Sequence, residues 1–160
     1  MCSDEKPIRK KSINRGIIVS ISLGIFFYAC GYISNRMSVE TCERRTIQDL
    51  CQSRWIKTGT QIKVLPNRRA EKTSQWLTKL NVTHVLLTEE QVEGVKKSGV
   101  SSRIYFPWIN IGETHTYFPF IVSVEYGWVA EPQIGSGGSK RYFCLFGCVI
   151  YSWTSVTWNV

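Results

Sequence analysis

The chain has 160 residues, of which 43% are hydrophobic and 20% are charged. This length predicts one domain plus a membrane segment, and the composition excludes a wholly disordered chain. The formal net charge of +8 indicates anionic partners, but the excess positive charge lies in residues 1–15 and 36–80, on both sides of a hydrophobic segment. That distribution favours a membrane surface over nucleic acid, whose binding proteins more often concentrate charge on the folded domain.

An apolar run from Gly16 to Ile33 follows the basic tail and contains 18 residues without a charge. At ~1.5 Å per residue, a helix of that length spans ~27 Å, close to the hydrocarbon thickness of a bilayer. The run therefore predicts a signal-anchor, a transmembrane helix that crosses the cell (inner) membrane once. More basic residues precede it closely than follow it, which predicts a cytoplasmic N-terminus and an extracytoplasmic C-terminal domain.

Cys30 supports an alternative to the uncleaved anchor. In the tripeptide Ala29-Cys30-Gly31, the small residues beside the cysteine are typical of a bacterial lipoprotein signal, in which the cysteine becomes lipidated. Phe27 and Tyr28 depart from that pattern, because an aliphatic and a small residue usually occupy these two positions. If the run is instead an intact helix, Cys30 is simply a small apolar residue within it.

Residues 34–60 predict a basic juxtamembrane helical segment. Four apolar residues fall within one arc at helical spacing: Val39, Cys42, Ile47 and Leu50. Glu40 and Glu43 interrupt that arc. Basic residues here and in the following helix could contact anionic lipid headgroups, and the main candidates are Arg44, Arg45, Arg68 and Arg69, with Lys63 and Lys72 nearby. A solvated helix face is the alternative explanation of the same charges.

Residues 61–100 predict strands and helices in alternation. The expected elements are a strand at Gln61–Leu65, a helix at Arg68–Leu80 with Asn67 as its N-cap, a buried strand at Val82–Leu87 and a helix at Glu89–Lys97. Thr88 and Gln91 match a capping box for the second helix, and Gly99 suits its end. This order predicts one parallel crossover.

The last third of the chain is rich in aromatic residues and predicts an antiparallel meander. Three long strands are expected at Arg103–Ile111, Tyr117–Ala130 and Arg141–Trp153, with breaks at Gly112 and at Pro132–Lys140. In the middle strand alternate residues share one face: Phe118, Phe120, Val122, Val124, Tyr126 and Trp128. The Gly-rich stretch Ile134–Ser139 predicts a flexible hairpin connection. Tyr142–Val160 lacks charge and is a candidate second span, although its most apolar part is too short for one.

Together these elements predict the α+β class. An N-terminal transmembrane helix is followed by a small mixed domain with a βαβα segment and a C-terminal antiparallel β-meander. The expected bounds are 1–15 for the cytoplasmic tail, 16–33 for the anchor, 34–60 for the juxtamembrane segment and 61–160 for the extracytoplasmic domain.

The six cysteines constrain any disulfide. Cys2 precedes the anchor, and the candidates for pairing beyond the membrane are Cys42, Cys51, Cys144 and Cys148. On one strand Cys144 and Cys148 would be ~13 Å apart, and on one helix Cys42 and Cys51 would face opposite sides, so neither local pair is favoured. A bridge from the first helix to the last strand is geometrically easier, and four unpaired buried thiols are the alternative.

No motif indicates catalysis, a metal site or a cofactor, and none of these is assigned to any residue. His84 and His115 are isolated from each other and from the cysteines, so neither zinc ligation nor a nucleophilic triad is indicated. The Gly-rich loop from Gly135 to Gly138 is not directly followed by the lysine of a phosphate-binding loop, since Ser139 comes next.

Aromatic side chains are the most informative remaining feature. Fourteen of the twenty Phe, Trp and Tyr residues lie between Tyr105 and Trp158. A β-core built from large side chains explains them. The alternative is an exposed aromatic face for a carbohydrate or a partner protein, with Tyr105, Trp108, Tyr126 and Trp128 as its candidates.

These features predict a single-pass, membrane-anchored envelope protein that binds or scaffolds and has no catalysis of its own. Its expected partners are membrane lipid and either another envelope protein or a wall polysaccharide. An envelope enzyme whose site is assembled from scattered residues is one alternative, and a two-span membrane component is another. An exposed aromatic patch would favour the binding module, and a strongly shifted pKa in a cleft would favour the enzyme.

Overall fold

A computed structural model gives the fold and describes residues 8–53, 59–98, 107–117, 119–131 and 134–159. A long helix comes first, and short helices and six strands follow it in the order α1 (Ile8–Cys51), β1 (Ile62–Val64), α2 (Ala70–Lys79), β2 (His84–Leu86), α3 (Glu89–Ser98), β3 (Trp108–Tyr117), β4 (Ile121–Glu131), β5 (Ile134–Leu145) and β6 (Cys148–Asn159). The predicted α+β class is confirmed.

All six strands form one mixed sheet, ordered β2-β1-β3-β4-β5-β6. β1 pairs in parallel with β2 on one side and with β3 on the other. From β3 to β6, each strand is antiparallel to the next. The short parallel part and the long antiparallel part therefore share one continuous sheet.

Helix α1 is 44 residues long and changes its surroundings halfway. From Ile17 to Ile33 its large apolar side chains are at least half exposed. Further along, Cys42, Ile47 and Leu50 are buried against the sheet. Among the described residues, α1 is the one helix long and apolar enough to span a membrane, and it fits a single-pass anchor. It crosses the expected boundary at residue 33 without a break.

Polar side chains fasten the second half of α1 to strand β5. The Ser34 hydroxyl donates to the carbonyl of Cys144 at 3.1 Å and accepts from the backbone N–H of Phe146 at 2.8 Å. One helical stretch later, Thr46 Oγ1 lies 2.6 Å from the Tyr142 hydroxyl, and Asp49 then pairs with Lys140. Residue numbers rise along α1 while they fall along β5, so the helix runs beside that strand in the opposite direction.

Helix α2 connects the parallel strands β1 and β2 and packs on the same side of the sheet as α1, with Leu77 and Trp76 in the core. The predicted capping box of α3 is confirmed, since the Thr88 N–H donates to Gln91 Oε1 at 2.9 Å and the Gln91 N–H donates to Thr88 Oγ1 at 3.2 Å. Asn67 Oδ1 accepts from the Arg69 N–H at 2.7 Å, in the turn before α2, and does not cap the helix itself.

The prediction of a buried strand at Val82–Leu87 is wrong in its burial. β2 is the edge strand of the sheet, and Val85 and Leu86 are 36% and 41% exposed. An apolar run of this length is typical of a strand whose two faces are both covered, whereas the side chains of Val85 and Leu86 are left partly open to solvent.

The expected break at Pro132–Lys140 is also wrong. Strand β5 begins at Ile134, and its glycines pair with β4 through the register Gly135↔Val129 and Gly137↔Gly127. A side chain at Gly135 would overlap the backbone of Trp128 and Val129, and one at Gly138 would overlap the backbone of β6. Glycine therefore serves close packing in this strand, not flexibility.

The other strand bounds also differ from the prediction. The expected strand at Tyr117–Ala130 begins later, since Tyr117 ends β3 and β4 begins at Ile121. The expected strand at Arg141–Trp153 is a hairpin, with Leu145 paired to Cys148 across the turn Phe146–Gly147. Both turn residues have positive φ, 45° and 86°, as in the type I′ turn that suits the twist of a hairpin. Gly112 does not end a strand but lies at a bulge inside β3, where the register with β4 shifts between Ile111 and Thr114. The candidate second span, Tyr142–Val160, consequently lies in β5 and β6.

Candidate binding face of the sheet

The antiparallel part of the sheet carries helices on one face only, as far as the described residues show. Val122 and Val124 of β4 are fully buried beneath α1. Ser123, which lies between them in sequence, points the other way, as do Ile121 and Glu125, since side chains alternate along a strand. Directly paired residues share a face, so the register extends this open face across all four long strands.

Three rows of side chains cross the open face. The row nearest the β3–β4 and β5–β6 turns consists of Tyr117, Ile121, Phe143 and Tyr151. The second row consists of His115, Ser123, Arg141 and Trp153. The third contains Glu125, Ser139 and Ser155. The face is therefore apolar at one end and polar in the middle.

A groove of about 430 Å³ lies over the polar rows. Its lining includes His115, Ser123, Glu125 and Arg141, with Trp158 at the end away from the two turns. His115 Nε2 lies 3.4 Å from Glu125 Oε1 and 4.0 Å from Glu113 Oε2, so a protonated imidazole would form ion pairs with both carboxylates. Hydroxyl, carboxylate and guanidinium groups together offer both donors and acceptors to a polar ligand.

Indole rings pack against two glycines, Gly127 and Gly137, beside the groove. A Cβ at Gly137 would overlap the ring of Trp158, so this ring lies directly on the strand. A Cβ at Gly127 would be 3.5 Å from both Trp108 and Trp158. Trp158 remains 37% exposed. An aromatic ring packed across a glycine is a recognised way to stabilise a glycine-containing strand pair, and the open side of the ring stays available.

The structure separates the four aromatic residues predicted to form a binding face. Trp108 lies on the open face beside Gly127. Tyr126 and Trp128 alternate with it onto the helix-covered face, where Trp128 is 9% exposed and burial raises the pKa of the Tyr126 hydroxyl. Tyr105 lies outside the described residues. Besides Trp108, the open face presents aromatic residues that were not among the candidates: Tyr117, Phe143, Tyr151, Trp153 and Trp158.

The four arginines proposed to contact anionic lipid do not form one free patch. Arg69 Nη1 lies 3.2 Å from Glu43 Oε1, and Arg44 lies over the Trp76 ring at 5.8 Å. Arg45 and Arg68 are exposed. Part of the positive charge expected to face a membrane is thus engaged within the domain.

The sequence interpretation missed the ion cluster around Glu43, whose side chain is 2% exposed. Glu43 Oε2 lies 2.6 Å from Lys72 Nζ, and Thr114 Oγ1 donates to Glu43 Oε1 at 2.8 Å. The cluster ties α1 to α2 and to β3. Its signal was the interruption of an apolar arc, since Glu43 is spaced to share a helix face with Ile47 and Leu50.

The structure brings together one pair of the four candidate cysteines. The Sγ atoms of Cys42 on α1 and Cys144 on β5 lie 3.4 Å apart in the core, and the neighbouring Cys144 thiol and burial raise the pKa of Cys42. Cys51 is partly buried on the last turn of α1, and Cys148 is exposed at the start of β6. Cys144 and Cys148 lie on two strands, not on one strand as predicted. Cys30 lies on α1, in its apolar half.

Searches for similarity add no functional assignment. Within the described residues, no group of three or more His, Cys, Asp or Glu side chains is placed to hold a metal ion. No protein family, curated protein or solved structure matches the chain. The functional interpretation consequently depends on the geometry of the long helix and the open face.

Proposed function

We propose that this chain is a single-pass envelope protein whose open sheet face binds an extracytoplasmic polysaccharide. In this proposal the N-terminus is cytoplasmic, residues 16–33 cross the cell membrane, and the sheet lies outside. The chain works by binding, without catalysis of its own. The observation that carries the proposal is the uncovered polar groove at His115, Glu125 and Arg141, bordered by an indole ring.

The exposed apolar half of α1 supports the anchoring part of the proposal. Ile18, Leu23 and Phe26 are each more than 60% exposed. In water, so much exposed apolar surface would be unfavourable. Lipid removes that cost, and the helix satisfies its own backbone hydrogen bonds as a membrane requires. Because α1 continues unbroken through Cys30 to Cys51, an intact anchor agrees better with the fold than cleavage before Cys30.

The chemistry of the groove supports a sugar ligand. Sugar rings present apolar C–H faces and hydroxyl edges, so they combine well with an aromatic ring beside charged hydrogen-bonding groups. Trp158 offers the ring, while Glu125 can accept and Arg141 can donate hydrogen bonds. Hydrogen bonds to charged side chains are the stronger class and give such a site its orientation.

Calorimetric titration of the full-length protein in lipid nanodiscs with a soluble N-acetylglucosamine oligomer tests this function. We expect saturable binding that Arg141→Ala and Glu125→Gln each weaken about tenfold or more, since a hydrogen bond to a charged group contributes ~1.5–3 kcal/mol. Arg68→Ala and Glu71→Gln are matched controls, because both residues are exposed and lie outside the groove. Absence of binding, or equal weakening by the controls, would contradict the proposal.

The outer edge of β6, which pairs with no further strand among the described residues, favours a second candidate function, docking of another envelope protein. β6 is the last strand of the sheet and is 12 residues long. Cys148–Asn159 contains no charged residue, whereas long edge strands usually carry charge or proline to prevent pairing. A partner strand could add to this edge through backbone hydrogen bonds. Cross-linking in whole cells from a photoreactive residue at Thr154 tests this, and a captured partner lost on substituting Val156→Pro would support it.

A further inference from the structure

We propose that the sheet has a lipid-binding edge of its own, which inserts into the leaflet of the membrane on the domain side. We call it the membrane-facing edge and define it by five exposed residues near the β3–β4 and β5–β6 turns: Tyr117, Leu145, Phe146, Ile150 and Tyr151. The inference rests on the proposed anchoring by α1, and it adds a second contact with the same bilayer.

Contacts along α1 give the height of each turn relative to the apolar run. Ser34 binds the backbone at Cys144 and Phe146, so the β5–β6 turn lies level with the end of the charge-free run, just before Arg36. The Asn35 side chain donates to the Tyr117 carbonyl at 3.1 Å, which places the end of β3 at the same level. Both turns therefore lie at the boundary between hydrocarbon and water.

One contact lies deeper still. Phe27 packs edge-to-face with Phe120 of the β3–β4 turn, with ring centroids 5.3 Å apart. Phe27 precedes Ser34 by seven positions in the sequence, which corresponds to ~10 Å along a helix. Arg15 and Arg36 bound the charge-free run, and hydrocarbon of ~30 Å needs ~20 residues, so the membrane cannot shift far enough to leave Phe27 in water. The β3–β4 turn thus reaches the depth of acyl chains.

The composition of the edge matches that depth. Phe146, Ile150 and Tyr151 are 53%, 59% and 64% exposed, and Tyr117 is 48% exposed. Exposed apolar and aromatic side chains gathered at one end of a sheet are typical of surfaces that lie in the membrane interface. On the open face, the apolar row is nearest the turns and the polar row with His115 and Arg141 follows it.

Contact with lipid also explains why the sequence around the two turns contains no charged residue. Tyr117–Val124 and Tyr142–Val160 contain no Asp, Glu, Lys or Arg. Charged side chains at acyl-chain depth are costly, which disfavours them at the two turns. The charge-free C-terminal stretch thus resembles a membrane span in composition because part of it contacts lipid from the side.

Photolabelling of the wild-type, full-length protein tests the inference. The protein is reconstituted in phosphatidylcholine–phosphatidylglycerol vesicles that contain a phospholipid with a diazirine in its acyl chain, and adducts are located by peptide mass spectrometry. We expect adducts in residues 16–33 and also in 117–121 and 145–151. Adducts confined to 16–33 would overturn the membrane-facing edge and leave the anchor standing, whereas no adducts in 16–33 would overturn the anchor as well.

A matched pair of variants on one strand sharpens the test. Ile150 and Val156 both lie on β6 and are both at least half exposed, but only Ile150 is near the turn. We expect Ile150→Lys to remove the adducts from 145–151 and Val156→Lys to leave them unchanged. Equal labelling of the two variants would overturn the inference, as would protein–protein cross-links at 145–151 in place of lipid adducts.

Discussion

The two halves of helix α1 follow opposite rules of burial. In the first half, Ile17 to Ile33, large apolar side chains are exposed, while in the second half Ser34, Ser38, Glu43 and Thr46 are buried. A helix in water normally shows the reverse. The first half thus fits a membrane anchor, whereas the second half uses polar groups to contact the sheet.

The difference also shows how one helix serves two purposes. Apolar contacts with lipid are unspecific, so the first half fixes depth but not direction. The second half forms bonds with defined partners, such as Thr46 with Tyr142 and Glu43 with Lys72. These bonds fix the rotation and the axial position of the helix on the sheet.

The largest expected difference is in the free energy of unfolding, when one isoleucine of each half is replaced by alanine. Ile47 is 1% exposed in the core, so Ile47→Ala should lower the free energy of unfolding by ~2–5 kcal/mol. Ile25 is 65% exposed. Ile25→Ala should change the free energy of unfolding little, because that side chain stays in lipid or detergent when the domain unfolds. Urea titrations of full-length protein in micelles, followed by tryptophan fluorescence, measure both. Equal losses for the two variants would contradict the division of α1.

A disulfide between α1 and β5 is the next effect in size. With oxidised glutathione as oxidant, Cys42 and Cys144 lose two electrons and two protons to form one S–S bond, and two reduced glutathione molecules result. We expect this bridge to raise the free energy of unfolding by ~2–4 kcal/mol. Since the pKa of Cys42 is raised, the bridge should form faster as pH rises.

Peptide mapping under non-reducing conditions identifies the bridge. Cys144→Ser should abolish it and Cys148→Ser should not. A bridge that joins Cys51 to Cys148 would show that the 3.4 Å approach of Cys42 and Cys144 Sγ atoms does not describe the folded protein.

Replacing the buried carboxylate should have a smaller effect. Glu43→Gln removes the charge that Arg69 and Lys72 share, and we expect a loss of ~1.5–3 kcal/mol in the free energy of unfolding. The loss stays below that of a fully buried pair because the two basic side chains are 35% and 37% exposed and keep part of their hydration. Glu40→Gln, an exposed position on the same helix, is the control and should be neutral. A loss for Glu40→Gln equal to that for Glu43→Gln would refute the role of the cluster.

The smallest effect concerns alkaline pH. Burial raises the pKa of Cys51 to about 11, so the folded state disfavours its thiolate. The stabilisation is fully present below the pKa of the unfolded thiol, and it is lost as pH rises from there to about 11. Unfolding titrations at increasing pH should show this loss in the free energy of unfolding. The loss should be smaller in Cys51→Ala, whereas Cys148→Ala should behave as the wild type. An unchanged slope for Cys51→Ala would disprove the burial of this thiol.

Local signals predicted several elements well. The capping box of Thr88 and Gln91 needs only four residues and is present as expected. The charge-free run after Arg15 predicted the one helix, among the residues that the structure describes, that fits a membrane anchor. Alternation in β4 placed Val122, Val124 and Trp128 on the covered face. These features depend on neighbours in the sequence, so a sequence carries them directly.

Features that depend on distant strands escaped prediction. The sequence around Gly137 predicts a loop, because nothing in that segment shows that Trp158 lies upon this glycine. The hairpin turn at Phe146 was hidden because phenylalanine seldom adopts positive φ. Prediction of the groove requires the register of three strands, because that register places His115, Ser123 and Arg141 in one row.

Membrane fractionation of the full-length, wild-type protein tests the central claim most directly. If the exposed apolar half of α1 crosses lipid, the protein should stay in the membrane pellet after alkaline carbonate extraction and leave it only with detergent. Recovery of intact protein in the soluble fraction at neutral pH would contradict the account.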